Sequence, residues 1–273
     1  MLAINLAERA YIVTGASRGM GAEMAHAIAL AGGRVVLVAP ERDAAELVGT
    51  TASINRDCGT GSAKAAVADI SDIEACRLAA RVCLSAFGRI DGLISNAGLG
   101  PMHLDLPPHA STAPFWEVDP ACWADIIRVN VVGTFNMAHA VTPLLIERGW
   151  GRIVNTSTGL ATIYREGGTP YGPSKGAIEA MTLAWSKELR KFGITVNSLL
   201  PGGTTDTAFV PKAVRESRAL ISPRVMRAPA VWLMSPLSDG LTGGRIVATR
   251  WTEGIDPAIA AQSAFEPPVY RET

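Results

Sequence analysis

Seven short apolar runs alternate with six longer amphipathic stretches along this chain, and that alternation restricts the fold more than any single residue does. The short runs are Tyr11 to Val13, Arg34 to Ala39, Ala63 to Ala68, Gly92 to Ser95, Arg152 to Thr156, Thr195 to Leu200 and Arg245 to Ala248. The longer stretches lie near 20–31, 43–56, 72–87, 121–147, 173–192 and 226–235. They carry apolar residues at i, i+3 and i+4, and several begin after Ser, Asp or Pro, as helices do. Strand, helix, strand in repetition implies parallel pairing through right-handed crossovers. The strands are almost wholly apolar, the pattern of a sheet covered on both faces. The expected fold is therefore α/β, a doubly wound parallel sheet with helices on both faces. No linker, repeat or low-complexity segment divides the chain, so a single domain over 1–273 is expected.

Bulk properties narrow the function. Formal net charge is zero, so no charge excess points to nucleic acid or an anionic membrane. No apolar run approaches the roughly 18 residues that span a bilayer, and MLAINLAERA lacks the basic-then-apolar order of a signal peptide. Cys58, Cys76, Cys83 and Cys122 form no C-x-x-C pair, as expected for reduced thiols in a cytoplasmic protein. His26, His103, His109 and His139 have no metal-ligand spacing, and no metal is expected. The glycosylation sequon Asn155-Thr156-Ser157 falls in an expected buried strand and is set aside.

Two long irregular segments, Leu99 to Pro120 and Gly202 to about Pro223, follow strands. Both should sit over the carboxyl edge of the sheet, where open α/β folds bind ligands. The first strand runs into TGASRGMG, Thr14 to Gly21. Glycines there let the backbone approach a pyrophosphate, while the helix that follows offers free N–H groups and a positive dipole end. S-adenosylmethionine sites also use glycine turns after a first strand. No Gly-Lys-Ser/Thr follows, which disfavours a nucleoside triphosphate site.

Further elements come in order: Asp69-Ile70 after the third strand, Asn96-Ala97-Gly98 after the fourth, Asn130 in RVNVVGTF, Tyr171 and Lys175 in YGPSK, and Pro201-Gly202 after the sixth strand. In that order and spacing the chain resembles the classical short-chain dehydrogenase/reductase family, from Thr14 to about Val247, with a Rossmann-like sheet. The resemblance implies that Gly15, Gly19 and Gly21, with Ser17, Arg18 and Met20 between them, form the pyrophosphate turn. It puts Asp69 and Ile70 at the adenine and Asn96, Ala97 and Gly98 along the cofactor cleft. Tyr171 would be the acid/base, and Lys175 would hold the nicotinamide ribose. Asn130 would hold a water that relays protons, and Pro201 and Gly202 would start a loop over the nicotinamide. A threonine past that Pro-Gly should contact the carboxyamide; Thr204, Thr205 and Thr207 all offer themselves, and Thr204 is the first.

A free phenol titrates near 10, and an ammonium one helical turn away should lower that value by favouring the phenolate. The substrate-binding hydroxyl, by the family's spacing, falls on Thr158, with Ser157 one residue early. Neighbours on a strand point to opposite faces, so both should not face the pocket unless the strand has already ended. Threonine has a donor and two acceptor lone pairs, enough to orient a substrate oxygen.

The expected activity is hydride transfer between a nicotinamide cofactor and a secondary alcohol or carbonyl. Alternatives are a non-catalytic nucleotide-binding or regulatory protein of the same fold, which Thr158 favours, and a dehydratase or isomerase relative. At the end of the second strand Ala39 stands where an acidic residue would select NAD(H), and Arg18 and Arg42 could approach a 2′-phosphate. NADP(H) is expected, with NAD(H) as the alternative. The loops carry apolar and aromatic residues, including Phe115 and Trp116, and few anion clamps beyond Lys212, Arg215 and Arg218. A small, moderately apolar alcohol or ketone is the expected substrate. The resemblance also implies a homodimer or homotetramer packed through the helices near 121–147 and after Tyr171.

Overall fold

The computed structural model describes residues 4–104, 112–210, 212–217 and 219–270. His109, with the rest of 105–111, and Arg218 lie outside them, as does the side chain of Lys212. The chain opens with β1 (Ala10–Thr14), α1 (Gly19–Leu30), β2 (Arg34–Ala39), α2 (Ala44–Cys58), β3 (Ala63–Val67), α3 (Ile73–Phe87) and β4 (Gly92–Ser95). A long helical segment follows, built of α4 (Pro120–Ile127), a π-helical stretch (Arg128–Gly133) and α5 (Thr134–Arg148). Then come β5 (Gly151–Thr156), the short α6 (Leu160–Ile163), α7 (Tyr171–Leu189), β6 (Ile194–Leu200), α8 (Lys212–Ser217), α9 (Arg227–Leu233), β7 (Arg245–Val247), α10 (Pro257–Ala264) and β8 (Phe265–Glu266).

The sheet order is β3-β2-β1-β4-β5-β6-β7-β8. The first seven strands pair in parallel, and β8 alone runs antiparallel, against β7. The order reverses between β1 and β4, so their outgoing connections part and leave a crevice at the carboxyl edge. Side chains alternate across the sheet as the strand period demands. Tyr11 and Val13 pack with α1 and α9 on one face. Ile12, Val36 and Val38 pack with α3 and α5 on the other.

Sequence signals explain most element starts. Asp72 accepts the Glu74 N–H and opens α3, and Asp119 does the same for Ala121 ahead of Pro120 at the first helical position. One start differs from expectation, since α7 begins at Tyr171 and not at Pro173. Proline is tolerated in a first turn, where its missing N–H would have no helical partner. A second difference concerns the bilayer. Pro120–Arg148 forms a continuous helix of 29 residues that is long and apolar enough to cross one by length and composition. It lies against the sheet instead, with Ile126, Met137, Val141 and Leu145 fully buried. The two-residue β8 is too short to show a period and was not foreseen.

Candidate active site

The turn after β1 is tight for a local reason. Gly15 has φ +61°, and a Cβ there would lie 2.7 Å from the Ala97 Cα; a Cβ on Gly21 would lie 2.2 Å from the Gly15 oxygen. Only glycine fits either position. The first turn of α1 has no acidic residue, and no side chain caps it at Arg18. Its N–H groups and dipole thus face the crevice uncompensated, which suits a pyrophosphate. Ser17 is buried and its carbonyl accepts Thr50 Oγ1 at 2.5 Å, while Met20 packs against the core beneath.

Asn96 ties this turn to β4. Its Nδ2 donates to the Thr14 and Gly15 oxygens, both at 3.1 Å, and the N–H groups of Asn96 and Ala97 both donate to Thr14 Oγ1. Gly98 sits beside the Asn130 side chain. Asn130 is itself buried in the π-helical stretch, where its Oδ1 accepts the Leu99 N–H at 2.7 Å. Its Nδ2 donates to the Leu99 oxygen and to Ser174 Oγ, each at 2.9 Å. The amide therefore braces the exit of β4 against α7. Asp69 is exposed and accepts the Ser71 N–H, whereas Ile70 is buried against Gly133 with its carbonyl bonded to Asn136.

Tyr171 opens α7 and is half-buried, its ring 5.5 Å from that of Phe209. Lys175 lies one turn on, buried, with Nζ donating to the Thr156 oxygen at 2.8 Å and standing 5.8 Å from the Tyr171 ring centroid. Burial pushes the Tyr171 phenol up, which corrects the expectation that its lysine neighbour lowers it. Desolvation of the phenol is the cause of the rise, and the ammonium expected to oppose it is bonded to the Thr156 oxygen. Lys175 comes down to about 8, through burial opposed by the Glu179 carboxylate.

β5 ends at Thr156, so Ser157 and Thr158 lie just past the strand and its alternation does not fix their directions. Ser157 is 3% exposed and buries its hydroxyl beside Glu179, near enough to stabilise the carboxylate but short of a well-directed hydrogen bond. Thr158 is half-buried, and its carbonyl accepts from Arg245 Nη2 at 3.3 Å. Pro201 and Gly202 start the loop after β6. In it Thr204 is half-buried with its carbonyl bonded to the Ile221 N–H, Thr205 is buried, and Thr207 packs against Gly19. The same loop carries Phe209 over Gly100 and Tyr171.

At the far end of the crevice Arg18 does not stand free. It pairs with Asp43 at 3.0 Å and with Glu46, while the largely exposed Arg42 lies 3.9 Å from Asp43. Phe115 and Trp116 are exposed and packed edge to face. Three residues of the site escaped the sequence reading: Glu179, Arg245 and Phe209. Only Glu179 had a local signal, a carboxylate at the fourth position after Lys175 on a mostly apolar helix.

Comparison with known proteins agrees with this fold. Residues 9–218 match the family model described as short chain dehydrogenase. The chain is 31% identical over 246 residues to galactitol 2-dehydrogenase (L-tagatose-forming) of Cereibacter sphaeroides, covering 85% of this chain and 89% of that protein. A gluconate 5-dehydrogenase from Burkholderia cenocepacia, solved with NADP and tartrate, superposes with a TM-score of 0.79 at 25% identity over 90% of this chain and 95% of that one. A 3-ketoacyl-(acyl-carrier-protein) reductase from Brucella melitensis, solved with NADH, gives 0.77 at 28% identity over 88% and 96%.

Proposed function

The chain belongs to the short chain dehydrogenase family, two of whose solved relatives hold NADH and NADP, and from that premise we propose that it interconverts a small secondary alcohol and its ketone. The observation that supports this is Lys175, 5.8 Å from the Tyr171 ring and bonded to the Thr156 oxygen at the end of β5, two residues before Thr158, in a sheet whose first strand runs into the glycine turn. The nicotinamide, when bound, gives or takes the hydride. The chain's own groups bind, orient and move the proton.

In this reading Gly15, Gly19 and Gly21 seat the pyrophosphate at the start of α1. Asp69 and Ile70 flank the adenine, Asn96, Ala97 and Gly98 line the cleft, and Pro201, Gly202 and Thr204 lead a loop across the nicotinamide end. Thr158 Oγ1 orients the substrate oxygen. In the reduction direction Tyr171 Oη gives that oxygen its proton; a phenol raised by burial is a neutral donor at neutral pH. Lys175 holds the ribose and a positive charge beside the phenol, and a water beside Asn130 returns protons to it.

For the cofactor we propose a preference for NADP(H), because Ala39 puts no carboxylate at the end of β2 and Arg18 and Arg42 lie nearby. The pairing of Arg18 with Asp43 and Glu46 favours NAD(H) instead, since a 2′-phosphate would have to compete for it. Steady-state kinetics with both cofactors decides, and a clear NAD(H) preference defeats the proposal. We propose further that the chain acts as one domain in a homodimer or homotetramer. The exposed Val132 and Phe135 on the long helical segment are the supporting observation. A monomer in light scattering at micromolar concentration contradicts it.

The activity is tested with a panel running from ketoses to aryl ketones and their alcohols, followed by nicotinamide absorbance. Turnover with any of them supports the reading. Cofactor binding with no turnover across the panel would favour a nucleotide-binding protein without catalysis, which Thr158 at this position allows.

A further inference from the structure

Behind the Ser157–Thr158 turn lies a buried ion pair with no role in the scheme above. Glu179, one helical turn beyond Lys175, is 4% exposed, and Arg245, the first residue of β7, is 1% exposed. Arg245 Nη1 and Glu179 Oε1 are 3.3 Å apart. Arg245 Nη2 donates to the Thr158 oxygen at 3.3 Å and lies 3.5 Å from Glu266 of β8, which pairs with Arg250 at 2.8 Å. Glu179 Oε2 accepts from Ser198 Oγ at 3.2 Å.

This pair is poorly explained as a stabilising bond. Glu179 Oε1 and Arg245 Nε and Nη1 make no well-directed hydrogen bond. Apolar side chains often replace such a buried pair at no cost in stability. What the pair does grip is two consecutive residues of the turn, Ser157 beside the carboxylate and Thr158 through its main-chain oxygen. It also reaches the proton-transfer groups along α7, where Tyr171, Lys175 and Glu179 follow at four-residue intervals on one helix face.

We propose that Glu179 and Arg245 are positioning residues that hold the Ser157–Thr158 turn in register with Tyr171 and Lys175, an inference that rests on the proton-transfer reading of those residues. The charged and polar groups facing Glu179 are Lys175 on its own helix, Arg245 from β7, Ser157 after β5 and Ser198 from β6. Glu266 reaches the same guanidinium from β8. Burial and Glu179 act on Lys175 in opposite directions. Removing the carboxylate charge should therefore let Lys175 lose its proton at lower pH.

The test compares the full chain with Glu179→Gln, with Glu179→Gln/Arg245→Met and with Tyr171→Phe. Each is measured by thermal melting and by ketone reduction across pH, using the panel ketone of highest kcat/KM. The double variant removes both charges of the pair and leaves Glu266 with Arg250, while Lys175, deprived of its carboxylate, can shed its proton, so the variant should melt near the wild type. Its kcat should nonetheless fall about tenfold, and the alkaline limb of its pH profile should move to lower pH. A double variant with wild-type kcat and wild-type alkaline limb overturns the proposal. One that does not fold also overturns it, by making the pair a structural bond. Tyr171→Phe separates the two levels of the argument. If it turns over like the wild type, the underlying reading fails; if it is inactive while the double variant is unaffected, only the positioning role fails.

Discussion

At the amino-terminal edge of the sheet the fully buried Asp91 is served from every side. It accepts the Ala10 N–H at 2.8 Å and a two-pronged guanidinium from Arg89 at 2.7 and 2.6 Å, with Arg9 and Arg148 within 3.9 Å. Arg152 beside it donates to the Ser235 and Gly151 oxygens and pairs with Asp239, and the guanidinium groups of Arg9 and Arg152 both lie over the Trp150 ring. The carboxyl-terminal edge buries charge differently. Lys175 has one carbonyl, Glu179 and Arg245 face each other without well-directed bonds, and Tyr171 is desolvated. A fully bonded buried charge behaves as part of the frame, because losing any partner strands the others. A partly bonded one can exchange a proton or answer a bound molecule, and titrations displaced in this way gather where chemistry is done.

If that contrast is right, substitutions at the two edges should separate activity from stability. Tyr171→Phe should cost on the order of a thousandfold in kcat, within the span of general acid catalysis, with the melting curve unchanged. Asp91→Ala should do the reverse. It should destabilise the fold by about 3–5 kcal/mol, the usual cost of removing one partner of a buried pair, while kcat/KM per folded molecule stays near wild type in a urea-corrected assay. An Asp91→Ala enzyme that is stable but inactive would break the comparison.

Smaller effects sharpen it. Thr158→Val keeps the shape and deletes the hydroxyl, and should lower kcat/KM by about tenfold, roughly 1.4 kcal/mol. Thr158→Ser should stay active. If Thr158→Val is near wild type and Ser157→Ala is crippled, the substrate-facing hydroxyl is Ser157. Ketone reduction should fall as pH rises through about 8, where buried Lys175 loses its charge. The stability contribution of the same group runs the other way. Its folded value lies below the ordinary 10.5, so between about 8 and 10.5 the unfolded chain holds the proton more tightly. Lys175 by itself then makes folding more favourable as pH rises through that window, which a proton-linkage analysis of Lys175→Met against wild type would detect.

Much of this molecule was legible in its residues because the relevant signals are local. The strands from Arg34 to Ala39 and Gly92 to Ser95 begin and end where the apolar runs do. The crowding around Gly15 and Gly21 accounts for the glycines of TGASRGMG. Strand alternation, by contrast, could not assign Ser157 and Thr158, because β5 ends at Thr156 before either of them. Tertiary structure decided everything that depends on two distant elements meeting. Helix spacing pairs Tyr171 with Lys175 and so leads to the expectation of a lowered phenol, but burial, which spacing cannot show, pushes it up, and Phe209 from a distant loop is one of its ring neighbours. The late β8 brought Glu266 to Arg245, and the packing of β7 beside α7 brought Arg245 to Glu179. Periodicity tells which face of an element is apolar; which charge from elsewhere in the chain comes to rest behind that face is determined only when the sheet closes its order and register.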